Sequence, residues 1–338
     1  MGISGLVSVV VPNYNTGPAL RLCLEALLAQ TYENMEILLA DDCSTDDSVE
    51  VARALGVTVV STGANSGAAT ARNTGAEHAR GEFIMFIDAD VAMRPDAVTR
   101  AVGLMRENER IGALCGTYGP EPLIPDGPVE TYRCLHQHYW FTEQEGRIGT
   151  VHTAILMIRA EVFRAVGPFN TTLRHTEDGD YADRLTARYE SHSSNAVRGA
   201  HDHDDSLRTI FRKVFHRTRL HVPLYLRQGS LPGGFATGPR AGAAVAALGA
   251  VLCVPLIVLS PLWAVAALGL LAGSILGDRG LYAFVLDRKG LGFTLFFAGV
   301  HHLVNCAIAL AGGIGLLQWI VSPRFRRLYD RSGTAARP

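Results

Sequence analysis

The chain has 338 residues, of which 48% are hydrophobic, and a formal net charge of −1, so it can bury a full core and is not a disordered or fibrous protein. Near-neutrality hides a split. Residues 1–205 hold 29 carboxylates against 16 arginines, whereas residues 206–338 hold 3 against 15 basic side chains, with no carboxylate between Asp205 and Asp278. A basic half can serve nucleic acid or anionic lipid; here the basic residues border long apolar runs, which a duplex reader does not need and a membrane segment does.

The elements follow in chain order. Val7 to Val11 is a β-branched run ended by Pro12-Asn13, the pattern of a strand buried on both faces. Leu20, Cys23, Leu24, Leu27 and Leu28 recur at helical spacing over 18–30. Residues 36–40 predict a second strand ending on Asp41-Asp42, followed by a helix through Ala54 whose start carries Asp46 and Asp47, where carboxylates suit the positive dipole end. A strand over 57–60, a helix over 66–79 and a strand over 83–87 ending on Asp88-Ala89-Asp90 come next. Alternating strands and helices predict an α/β, doubly wound, mostly parallel sheet, with ligands beyond the carboxyl ends of its strands. The polar clusters 12–15, 41–42 and 88–90 all fall at such ends.

Residues 116–150, rich in Gly, Pro and aromatics, read as a long connection over the site. A strand over 153–158, a helix over 160–166 broken by Gly167-Pro168, and a helix over 178–189 complete a first domain at 1–205. Over 207–226, Leu207, Ile210, Phe211, Val214, Phe215 and Val222 alternate with Arg208, Arg212, Lys213, Arg217 and Arg219, the pattern of a basic amphipathic helix in a bilayer interface. That segment is placed at 206–240.

Residues 241–277 and 290–323 carry no charge, and each run exceeds the roughly 20 residues that a crossing needs. Transmembrane helices are therefore placed at 241–323, with Pro255 and Ser260-Pro261 able to turn the first run into a hairpin. His301, His302 and Asn305 are costly in lipid and are expected to face protein. Arg324, Arg326, Arg327 and Arg331 make 324–338 a basic cytosolic tail. The N-terminus has no basic region ahead of its short apolar run, so the first domain is expected on the cytosolic face of the plasma (inner) membrane. Six cysteines at 23, 43, 115, 134, 253 and 306 form no C-x-x-C pair and read as reduced core thiols.

Three ordered pieces carry a resemblance. They are Val9-Val10-Val11-Pro12-Asn13-Tyr14-Asn15, Asp41-Asp42-Cys43-Ser44-Thr45-Asp46, and the run from Gly67 through Arg72-Asn73-Thr74 to Gly75. With Asp88-Ala89-Asp90 as a D-x-D motif and Glu177-Asp178 followed by Arg184-Leu185, residues 5–205 resemble the family 2 glycosyltransferases of GT-A fold. The resemblance implies a nucleotide diphosphate sugar donor, a divalent Mg2+ or Mn2+ ion, and Asp178 as the general base that takes the proton of an acceptor hydroxyl, with inversion. It also implies Pro12 and Tyr14 as an apolar wall for the base, Asn15 beside them, Asp42 accepting from the base, and Arg72 for base or phosphate. Asp88 would hold the ribose or a metal-bound water, Asp90 would be the metal ligand, and His201 is a further metal candidate. Asp180 and Asp183 share the helix start with Asp178. No Q-x-x-R-W segment is present, so a single sugar transferred to a lipid-linked hydroxyl, as in exopolysaccharide or cell-envelope glycan assembly, is preferred. The alternatives are a polyprenyl-phosphate sugar synthase, a processive synthase, and a non-enzymatic membrane scaffold; nucleotidyltransferases would need a Gly-rich basic loop where Pro12–Asn15 stands.

Overall fold

A computed structural model describes residues 2–229, 231 and 237–330. The chain divides into two compact units, 1–206 and 207–338. In the first, nine strands run in chain order: β1 Ile3–Asn13, β2 Met35–Asp41, β3 Thr58–Ser61, β4 Gly81–Ile87, β5 Val91–Met93, β6 Ile111–Tyr118, β7 Gly146–Ile148, β8 Ile155–Arg159 and β9 Glu190–His201. They form one sheet in the order β3-β2-β1-β4-β8-β6-β9-β5, with β7 on β9. The block β3-β2-β1-β4 is wholly parallel and β9 is parallel to β6, while β8 is antiparallel to both its neighbours.

The β-branched run of β1 explains the layers. Val7, Val9 and Val11 enter one core with Leu20, Cys23, Leu24 and Leu27 of α1 (Pro18–Leu28) and Val98, Ala101, Val102 and Met105 of α4 (Ala97–Glu107). Ala52 of α2 (Ser48–Ala54) joins them. Val10 points the other way, into a core with α3 (Ala68–His78), α6 (Ala160–Val166) and α7 (Glu177–Thr186). Both faces of the sheet are thus covered, which is why the strand reads as continuous rather than alternating apolar sequence. α3 lies tight on β1 because Gly75 leaves room: a Cβ there would sit 2.2 Å from Val10 Cγ1.

Residues 116–150 are not the long connection that their composition suggests. They contain α5 (Pro128–Thr142), started by Pro128 and burying Tyr132, Cys134, Leu135 and Phe141. Apart from Glu130, its buried polar groups are His136 and His138, and the His138 ring bonds the Tyr118 carbonyl at 2.7 Å. The strand β9 also lies where no strand is expected from sequence. Its residues ESHSSNAVRGAH are mostly polar, and pairing with three strands, not apolar periodicity, holds it.

The second unit begins with α8 (Leu207–Gln228), which buries Ile210 and Leu224 and exposes Arg208, Arg212, Lys213 and Arg217. α9 (Gly238–Cys253) continues as a 3-10 turn, Val254–Val258, and packs on α10 (Leu262–Gly277), so the first apolar run does fold as a hairpin. α11 (Arg279–Val321) breaks at Gly290, where φ is 74°, and α12 (Pro323–Arg326) follows. By length and composition 238–258 and 279–321 can each cross a membrane. Val258, Leu262 and Leu268 lie on the outside, as they would facing lipid. His301 and Asn305 are buried as expected, His301 with its Nε2 3.0 Å from Asp278 Oδ2, while His302 is half-buried. α8 is tied to α11 by Arg219 to Gln318 at 2.8 Å, and to the turn after α12 by Tyr329 to the Leu220 carbonyl at 2.8 Å and an ion pair of Arg227 with Asp330. Residues 230 and 232–236 of the expected interface segment, and the tail from Arg331, lie outside the described residues.

Candidate active site

Strand ends and two helix starts build the site. At the end of β1, Pro12 is buried opposite Ala40 and Asn13 donates to Asp41 Oδ1 at 3.1 Å and Ser44 Oγ at 2.9 Å. Asn15, at φ 51°, accepts from Thr45 N–H at 2.7 Å, so the loops after β1 and β2 are pinned together. Tyr14 between them is 48% exposed and offers an open aromatic face.

Asp42 is buried and serves the start of α3. Its carboxylate accepts from Thr62 Oγ1 at 2.8 Å, Ser66 N–H at 2.9 Å and Gly67 N–H at 2.7 Å. Ser66 N–H also reaches the second oxygen at 3.1 Å, so each oxygen receives two contacts and the carboxylate is largely occupied by the protein. An acid at a helix start suits the dipole, so the residue expected to read a base is first of all a loop anchor.

Arg72 departs furthest from expectation. The sequence suggests a planar guanidinium for base or phosphate, and its side chain is 5% exposed. Nη2 lies 2.7 Å from Asp88 Oδ1 and Nη1 3.1 Å from Glu177 Oε1. Burial pulls the guanidinium pKa down, but Asp88 and Glu177 outweigh it and the net shift is upward. Both prongs of the fork are spent on the protein. They bind the end of β4 to the start of α7, which brings the D-x-D pair and Asp178 into one site.

Asp178 is half-buried in the first turn of α7 and accepts its neighbour's Gly179 N–H at 2.8 Å. Asp180 pairs with Arg184 at 2.9 Å and is buried, so it holds the helix. Of these two acids, Asp178 is the more open to a substrate. Asp90, with 35% of its side chain exposed, faces His201 at the end of β9, Nε2 to Oδ1 3.7 Å. The His201 ring stacks on His203 at 4.0 Å and meets the edge of Tyr118 at 4.9 Å, which fixes its direction. Asp202 next to it has a pKa raised by burial first and by Asp90 second.

Among the described residues no cluster of three His, Cys, Asp or Glu is placed to hold a metal alone. Asp90 with His201 fits a weaker demand: an ion completed by substrate phosphates, as Mg2+ and Mn2+ take them. Crowded acids at Asp90 and Asp202 favour a cation there.

Sequence reasoning missed β9 as the carrier of His201, and it missed His152, which lies just before β8 with Nε2 2.8 Å from the Gly116 carbonyl. A lone histidine in a loop has no periodicity or spacing by which to be found.

Residues 8–167 match the model of glycosyl transferase family 2. An uncharacterized glycosyltransferase of Haemophilus influenzae is 30% identical over 192 residues, covering 53% of this chain and 62% of that protein. Glycosyltransferase GlyG of Streptococcus pneumoniae is 40% identical over 112 residues, 32% of this chain and 37% of its own length. The chain therefore spans less than two thirds of the length of these relatives. Among solved structures, the mannosyltransferase PcManGT of Pyrobaculum calidifontis, solved in complex with GDP-Man and Mn2+, is similar over 94% of this chain and 87% of its own, at TM-score 0.57 and 18% identity. At that identity the likeness speaks for the fold, and the fold is GT-A. The sheet, its strand-end acids and the matched region together make residues 8–167 a glycosyl transferase family 2 domain.

Proposed function

We propose that the chain transfers a single sugar from a nucleoside diphosphate sugar to a hydroxyl of a lipid-linked acceptor, with inversion, at the cytosolic face of a membrane. One observation supports the reading: Arg72 ties Asp88 to Glu177, so the strand end of the D-x-D pair is joined to the helix start that carries Asp178. In this reading Tyr14 and Pro12 flank the base, Asp42 meets it by sharing one of the contacts it now makes to the loop, Asn15 holds the loop, and Asp88 meets the ribose. Asp90 and His201 would hold Mg2+ or Mn2+, which when bound would supply positive charge for a leaving diphosphate. Asp178 takes the proton of the acceptor hydroxyl as its oxygen attacks the anomeric carbon. With Asp178 as base, the reading is a one-step displacement, which inverts the anomeric centre.

The apolar helices of the second unit and the basic face of α8 support a membrane-borne, lipid-linked acceptor. Domain limits of 1–205, 206–240, 241–323 and 324–338 follow as the functional division. The test is a screen of UDP- and GDP-sugars for Mn2+-dependent binding and transfer by the full chain in detergent. Binding of none of them, with or without Mn2+, refutes the proposal.

A further inference from the structure

The loop 150–154 holds a group that the scheme above does not use. Asp88 N–H donates to the Ala154 carbonyl at 3.1 Å, so this loop is stitched to the strand end that carries the D-x-D pair. Two residues earlier, the His152 ring packs on Phe141 at 4.3 Å and is half-buried. Its Nε2 lies 2.8 Å from the Gly116 carbonyl. A carbonyl only accepts, so the proton is on Nε2 and Nδ1 of the neutral ring is an acceptor. Nδ1 makes no bond among the described residues, and it is not sealed from solvent.

Enclosure lowers the His152 pKa, and Asp178 and Asp88, both within electrostatic reach, pull it back only in part. The ring therefore stays neutral at pH 7, and the lone pair on Nδ1 persists. Holding the loop accounts for Nε2 and leaves Nδ1 unexplained. What can meet Nδ1 must donate a hydrogen bond without adding negative charge near two carboxylates. A hydroxyl does this. Asp88 marks the nucleotide side of the site and Asp178 the side where the new bond forms, and the sugar of the donor belongs between them.

We propose that His152 accepts, at Nδ1, a hydrogen bond from a hydroxyl of the donor's sugar, and so helps to choose and position that sugar. The proposal rests on the nucleotide-sugar reading of the site.

Two near-isosteric replacements separate the roles of the two ring nitrogens. In His152→Asn the amide oxygen reaches the place of Nδ1; in His152→Gln the amide nitrogen reaches the place of Nε2 and keeps the Gly116 contact. Calorimetric titration of the full chain with UDP and GDP, and with UDP-glucose, UDP-galactose, UDP-N-acetylglucosamine and GDP-mannose, all with Mn2+, reads the sugar's own contribution. His152→Gln is expected to bind the bare diphosphate within about twofold of wild type and to lose about 3- to 10-fold for the preferred nucleotide sugar. His152→Asn is expected to keep most of the sugar-dependent gain.

The reverse order, with Asn losing the gain and Gln keeping it, makes His152 a strut for Gly116 and overturns the proposal. Unchanged sugar binding in His152→Gln, with a defect only in acceptor use, overturns it as well. If wild type binds none of these nucleotides, the functional reading beneath falls first. A thermal melt of each variant reports folding separately.

Discussion

Replacing Arg72 with Met tests whether one guanidinium holds the site together. Met keeps much of the side-chain volume and removes the charge. Glu177, whose side chain is 10% exposed, then loses its cation in a nearly dry place, while Asp88, 29% exposed, is partly rescued by water. Breaking a buried ion pair by removing one partner costs about 3–5 kcal/mol. Solvent at Asp88 trims that toward the lower end, so about 3 kcal/mol is expected. For a unit of this size, 1 kcal/mol moves the midpoint by about 2–4 °C, which gives a drop of about 6–12 °C. Thermal unfolding of the full chain in detergent, followed by near-UV circular dichroism at pH 7, measures it. An uncompensated buried carboxylate disfavours its charged form, so the deficit should shrink as the pH falls. Arg72→Lys should recover only part of the loss, because a single ammonium cannot reach two carboxylates with the geometry of a fork. A midpoint within 1 °C of wild type for Arg72→Met, or full recovery by Lys, refutes the reasoning.

Three further outcomes follow from the same geometry. Asp178→Asn should lower transfer to a hydroxyl acceptor by about 10²- to 10⁴-fold with donor binding preserved; near-normal turnover on a polyprenyl phosphate would instead make the phosphate the acceptor. Asp90→Asn should abolish the Mn2+-dependent part of the thermal stabilisation by UDP or GDP, as EDTA should in wild type, and stabilisation that persists in the variant would place the ion elsewhere. Burial raises the Glu36 pKa, but Ser8 and Arg80 overcome it and hold it low. Its stabilisation is present above about pH 4.3 and is lost as the pH falls through the folded value, so Glu36→Gln should cost about 1–2 kcal/mol at pH 7 and progressively less as the pH falls below about 4.3. A deficit that stayed constant with pH would contradict that assignment.

The legible parts of the fold were those written in apolar periodicity. β1, α1 and α6 declare themselves because burial selects Val and Leu at fixed spacing. β9 and α5 did not, since Ser, His and Asn satisfy their backbone and side chains by hydrogen bonds that leave no hydrophobic pattern. The strand-end acids could be read from their positions, but their partners could not. Whether Arg72 faces a nucleotide or two carboxylates depends on Glu177, 105 residues away. Asp42 likewise looks like a free ligand until Ser66 and Gly67 close on it. His152 acquires meaning only once Gly116 fixes which of its nitrogens carries the proton.

The clasp between α8 and the end of the chain has a bearing on synthesis. The Leu220 carbonyl meets Tyr329, which lies 109 residues further on, and Arg227 meets Asp330. Such contacts of high sequence separation cannot form until the last helix has been made. The first unit, complete by residue 206, has every strand of its sheet available long before that. A chain stopped before residue 318 would therefore carry a finished sheet and most of α11, while Arg219, Leu220 and Arg227 of α8 would still lack Gln318, Tyr329 and Asp330. Residues 318–330 therefore close on α8 only late in synthesis.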